Sequence, residues 1–172
     1  MGSRVLVFTY KDGLLSRLAH DLQIHCEQFE IDRRGPEISG RFVLSSLRVD
    51  GAVERGRVAV GKLSDGDRSK IEQTMKAEVL EVRRFAEAAF RGTITGTRVE
   101  GSLSLHGRTL PLAPIDVRSS GALWVVELVL VPSRWGVTPY RALAGALKLQ
   151  DRVTVRLELP ADADADADAH WR

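Results

Sequence analysis

Between residues 99 and 106 apolar side chains fall at alternate positions. Val99, Leu103 and Leu105 are separated by Glu100, Ser102, Ser104 and His106. Successive side chains of a strand point to opposite faces, so the pattern predicts a sheet with one dry face. It lies within a run of strands read over 88–94, 97–106, 109–117 and 122–131. The Gly107-Arg108 step between two of them has hairpin spacing. Upstream, Arg4 to Thr9 reads as a first strand and Lys11-Asp12-Gly13 as a turn. Gly13 to Ala19 reads as a short helical turn. Leu22, Ile24 and Cys26 share one face of the next strand, while Phe29 and Ile31 continue on the other parity. A bulge near Glu27-Gln28 is the expected cause. Ile38 to Val49 reads as one long strand. Residues 50–63, broken by Gly51, Gly56 and Gly61, give no clear pattern beyond a short edge strand around Val58. Val153, Val155, Leu157 and Leu159 alternate in a final strand, which Pro160 stops.

The spacing predicts one long helix, Ser64 to Leu80. Ser64 stands three residues before Asp67, the spacing of a capping box with acidic charge in the first turn. Ile71, Met75 and Val79 recur at i, i+4 and i+8. The stripe is narrow, so the helix is expected on the sheet or across an opening. Val131 to Tyr140 reads as a loop with two prolines and two large aromatics, and Arg141 to Leu147 as a short helical turn.

An apolar share of 44% in 172 residues fits one globular domain with a real core. That domain is expected over residues 1–160. Residues 161–172 begin with an Ala-Asp repeat that has no apolar face, and read as a disordered tail. The net charge is +2; without the tail it is +5, with 24 basic and 19 acidic residues. No dense Lys/Arg run accompanies it, so no nucleic-acid partner is expected. A single cysteine, Cys26, allows no intrachain disulfide. Met1-Gly2-Ser3-Arg4 leads straight into a strand with no apolar signal core, and no apolar run is long enough for a membrane helix. A cytoplasmic location without stable membrane insertion is the expectation.

The order of these segments resembles the YceI-like family, lipocalin-like barrels associated with polyisoprenoid and other lipid binding. The matching stretches are Gly13 to Leu22, Ile38 to Phe42, the helix start Asp67 to Ile71, and Phe85 to Gly92. The hairpin Gly101-Ser102-Leu103-Ser104-Leu105-His106-Gly107-Arg108-Thr109-Leu110-Pro111-Leu112 is the most specific, and Ser133 to Val137 completes the set. Ala86 replaces the family proline, and Trp135 stands where a smaller aromatic is usual. The resemblance implies a mainly β fold: an antiparallel eight-stranded barrel with the helix over it. It further implies a hydrophobic small-molecule partner, polyisoprenoid or fatty acid; no cofactor is expected.

Barrels of about eight strands are either filled by side chains or hold one small ligand. Candidate inward residues are Phe42, Leu44, Phe90, Leu103, Leu105, Leu128 and Leu130, with Trp135 and Tyr140 near a rim. Gly40, Ala88, Gly92 and Gly101 would leave space inside. His20 or Arg134 would hold a polar head group. The other reading is a scaffold domain with a filled barrel and no ligand. Adjacent strand residues face opposite ways, so His20 and Asp21 do not form a catalytic pair, and no enzyme activity is expected. His20, His25, His106 and Cys26 lack zinc-finger spacing, so no metal is expected. Arg41, Glu100, Arg152, Arg156 and Glu158 read as solvated outer faces, and a homodimer through such faces is left open.

Overall fold

The computed structural model describes residues 2–12, 19–145, 147–161 and 168–172. Apart from Ala19, the helical turn expected over 13–19 lies outside them. Strands β1 (Arg4–Lys11), β2 (Leu22–Cys26), β3 (Phe29–Arg34), β4 (Glu37–Val43), β5 (Leu47–Glu54) and β6 (Arg57–Val58) precede helix α1 (Asp65–Thr74). A wider helical turn, Met75–Val79, prolongs α1. Then follow β7 (Glu87–Thr95), β8 (Arg98–Leu105), β9 (Arg108–Pro111), β10 (Ile115–Ser120), β11 (Leu123–Leu130), β12 (Arg141–Ala142), β13 (Leu147–Pro160) and β14 (Ala169–Trp171).

The hydrogen-bonded order is linear: β14-β3-β4-β7-β8-β10-β11-β13-β1-β2-β5-β6. Hydrogen bonds do not close this sheet. The chain does, because β2 bends directly into β3 and β4 into β5. Around the axis, among the described residues, this makes eight antiparallel staves: β1, β2/β3, β4/β5, β7, β8, β9/β10, β11 and β13.

The bends have a local cause. Leu22, Ile24 and Cys26 are buried on one parity, and Phe29 and Ile31 on the other. The phase slip expected at Glu27-Gln28 is therefore a corner that keeps the apolar face inward. The reading of Ile38 to Val49 as one strand is corrected. A helical turn at Leu44–Ser46 breaks it, and Leu47 and Val49 resume inward on the opposite parity. The two corners are tied together. The Ser46 hydroxyl, buried at 4% exposure, accepts from the Gln28 N–H at 3.0 Å and donates to the Val43 carbonyl at 2.7 Å. Cys26 Sγ lies 3.3 Å from Ser46 Oγ, and burial pushes its thiol pKa up.

Three further expectations change. The β8–β9 turn is His106-Gly107, one residue earlier than read, and both residues take positive φ (50° and 76°) as a two-residue hairpin of this hand requires. Arg141 to Leu147 supplies the short β12 and one turn at Leu143–Gly145. Of the tail expected over 161–172, residues 162–167 lie outside the described residues, while Ala169–Trp171 form β14, which adds to the edge of β3 and buries Trp171.

Candidate functional site

Inward side chains of the staves do not meet at the axis. They enclose a cavity of about 740 Å³, within the range of roughly 300–1,000 Å³ typical of ligand sites. β13 contributes Leu149, Val153, Val155, Leu157 and Leu159, and β11 contributes Trp124, Val126, Leu128 and Leu130. A barrel filled by its own side chains does not fit this geometry.

Register distinguishes the two ends. At one end Arg4 pairs with Glu158 and Leu123 with Pro160; at the other Lys11 pairs with Leu149 and Thr9 with Leu22. At the first end the lining residues Ile31, Val99, Ile115, Leu159 and Trp171 are all buried. At the second end Lys62, Asp67 and Lys70 line the cavity and are exposed, so the cavity opens there. It is an apolar tube with a polar mouth at this second end.

Helix α1 covers part of that mouth. The capping box forms as spaced: the Asp67 N–H donates to Ser64 Oγ at 3.1 Å, and the Ser64 N–H to Asp67 Oδ2 at 3.1 Å. The stripe Ile71, Met75 and Val79 is half-buried and faces the cavity. Glu72, on the adjoining face, anchors the helix to β5. Its carboxylate accepts from the Val49 N–H at 2.9 Å and from Arg48 Nη1 at 3.2 Å. Burial alone would push the Glu72 carboxyl up, but these donors and Lys76 outweigh it and hold the pKa below the ordinary range. The folded state thus favours the charged form. The contribution is present at neutral pH and is lost as pH falls through the carboxylate range. Glu72→Gln is expected to lower stability by about 1–2 kcal/mol, read by urea unfolding at neutral pH. The difference from the parent should shrink in acid.

Of the expected ligand contacts, Phe42, Leu44, Phe90, Leu103, Leu105, Leu128, Leu130, Tyr140 and His20 line the cavity. Trp135 and Arg134 do not. Trp135 is packed in the wall at 1% exposure, and its indole N–H donates to the Leu103 carbonyl at 3.0 Å. Arg134 is exposed, with its guanidinium 5.7 Å from the Trp135 ring centre. The glycines act differently from expectation. Gly92 faces Gly101 across β7–β8, and a Cβ on either would come within 2.8 Å and 2.6 Å, respectively, of Phe90 Cζ. The Phe90 ring therefore occupies the glycine space and lies along the wall, which keeps it out of the lumen. The Phe42 ring does the same over Gly40, at 3.0 Å from the Cβ position.

Two polar features escaped the sequence reading. Thr9 Oγ1 is buried without a hydrogen-bond partner among the described residues, on a residue that lines the cavity near the mouth. Lys70 lines the mouth without an ion pair among the described residues, whereas Lys62 is held by Glu54 at 2.8 Å. The alternating register of β1 was the available signal for Thr9, since it shares a face with Val5 and Val7. The closest histidine–carboxylate pairs among the described residues lie elsewhere: His25 with Asp50 at 2.7 Å, His106 with Glu81 at 2.9 Å and His170 with Asp32 at 2.5 Å, none of them lining the cavity. No group of three metal-binding side chains and no membrane-spanning helix occurs among the described residues.

No curated protein matches the chain. A solved structure of a polyisoprenoid binding domain from Saccharophagus degradans, implicated in plant cell wall breakdown, is similar in fold. Its TM-score is 0.58 at 12% identity, over 91% of each chain. The family model of the YceI-like domain matches residues 19–161, from the segment before β2 to the end of β13. Seven of the eight staves, the bent strands and the covering helix thus fall within one matched span, with only β1 before it, and the chain belongs to the YceI-like domain family.

Proposed function

We propose that this protein is a non-catalytic carrier that holds one long apolar or amphiphilic molecule, of isoprenoid or fatty-acyl type, along the barrel axis. The 740 Å³ apolar cavity carries this reading. Membership of the YceI-like family and likeness to a polyisoprenoid binding domain support it. Size argues for a long chain. Each buried methylene contributes about 0.8 kcal/mol, so a dozen supply roughly 10 kcal/mol, on the scale of the roughly 4–15 kcal/mol that association costs. A short chain would not be retained.

The mouth gives the orientation. Among the described residues Thr9 Oγ1 lacks a partner and Lys70 lacks an ion pair, and His20 is half-buried on the same lining. These groups suit a polar head, while the far end offers only apolar wall to a tail. Thr9→Val removes an unsatisfied buried hydroxyl and keeps the shape. It is expected to leave stability unchanged or raised by about 1 kcal/mol, while weakening a head-bearing ligand several-fold and its hydrocarbon analogue not at all. Paired binding titrations check this.

Solvent extraction of the purified protein followed by lipid mass spectrometry tests the proposal. A stoichiometric long-chain species is expected. A protein that yields none, and takes up none when offered fatty acids or prenyl alcohols, overturns it.

A further inference from the structure

The end of the cavity away from the mouth is lined in part by a segment beyond the family match. That match ends at residue 161, whereas β14 is Ala169–Trp171. Its strand pairs place Ala169 opposite Arg33, His170 opposite Asp32 and Trp171 opposite Ile31. His170 Nδ1 lies 2.5 Å from Asp32 Oδ1, which holds the strand from outside. The next residue turns inward: Trp171 is 4% exposed and lines the cavity.

Its indole is fixed on two sides. Nε1 donates to the Pro160 carbonyl at the end of β13, at 3.2 Å. The ring meets Trp124 with centroids 6.0 Å apart and planes inclined by 55°. Trp124 pairs with Leu159, so two indoles and one leucine occupy one level of the barrel. From Leu149 near the mouth to Leu159 at this level is ten residues of β13. At about 3.3 Å per residue and a tilt near 40°, that is roughly 25 Å of tube. At this far level the Trp171 side chain of β14 stands beside Ile31, Val99, Ile115 and Leu159 of the staves.

We propose that Trp171 is the length gauge of the cavity, setting the longest chain that fits with its head at the mouth. This rests on the reading of the protein as a chain carrier. A ligand longer than the tube must either leave its head group displaced past the Thr9 and Lys70 level or expel the indole. Expelling it breaks the Pro160 hydrogen bond and exposes Trp124. Chains up to the limit gain with each added methylene, and longer ones gain nothing or lose.

The test is a binding series of linear saturated fatty acids and all-trans prenyl alcohols of increasing length, on the full-length protein and on Trp171→Ala and Trp171→Phe. The parent is expected to show a length beyond which affinity stops rising. Trp171→Ala should move that limit to longer chains and bind the first chains past the parent limit about tenfold more tightly, with short chains unchanged. Trp171→Phe should shift it the same way by less. It decides the matter if Trp171→Ala does not fold. An unchanged length limit in a folded variant overturns the gauge while leaving the carrier reading intact. A parent that binds no chain of any length overturns both.

Discussion

Leu128→Trp is expected to leave the barrel folded and to empty it of ligand. Leu128 pairs with Val155 near mid-barrel, and both side chains line the cavity. In a close-packed interior the added indole would overpack and cost about 1–3 kcal/mol. At about 2–4 °C per kcal/mol for a chain of this size, Tm would then fall by roughly 2–12 °C. In an open lumen the ring finds room and covers apolar wall, so Tm should hold or rise. The bound chain loses that same room at the point where it cannot bend aside. Affinity for a long-chain fatty acid should drop about 100-fold, equivalent to roughly 2.8 kcal/mol. Calorimetric melting and a ligand titration on one preparation read both effects. Lower Tm with unchanged affinity would mean that the position is packed core.

Gly101→Val should have the largest effect on stability. The residue faces Gly92 across β7–β8. A Cβ at Gly101 would stand 2.3 Å from the Arg91 carbonyl oxygen and 2.6 Å from Phe90 Cζ. The ring could swing away, but only into the lumen; the carbonyl belongs to the neighbouring strand and can move only with it. A loss of about 3 kcal/mol or more is expected, a large part of the roughly 5–15 kcal/mol that holds an ordinary domain together. Chemical denaturation measures it. Where the variant still folds, the displaced Phe90 ring should weaken chain binding as well. A Gly101→Val protein as stable as its parent would show that the flat seating of Phe90 is misplaced.

How far the sequence carries can be judged from particular elements. The wall is legible because a half-buried strand writes its burial into every second residue, as Val99, Leu103 and Leu105 do. Helix α1 is legible because Ser64 and Asp67 satisfy one another locally and Ile71, Met75 and Val79 keep helical period. The corner at 44–46 is hidden because its cause is not local. Ser46 reads as one more residue of a continuous strand, yet its hydroxyl serves Gln28 and Val43. β14 is hidden for the same reason. Ala169-His170-Trp171 has no period of its own, and becomes a strand because β3 offers a free edge and the barrel end accepts an indole. The lining Phe42 and Phe90 follow from alternation, but their flat seating depends on cross-strand glycines. Trp135 shows the limit of aromatic content as a guide: it lies in the loop that lines the mouth, yet its ring is spent on the wall.

The central claim is that this lumen takes up a chain, and native mass spectrometry of the full-length protein titrated with a long-chain fatty acid or a prenyl alcohol addresses it directly. A single saturable one-to-one complex is expected, absent in Leu128→Trp. A folded parent protein that stays at its unliganded mass at every concentration of both probes would contradict the claim.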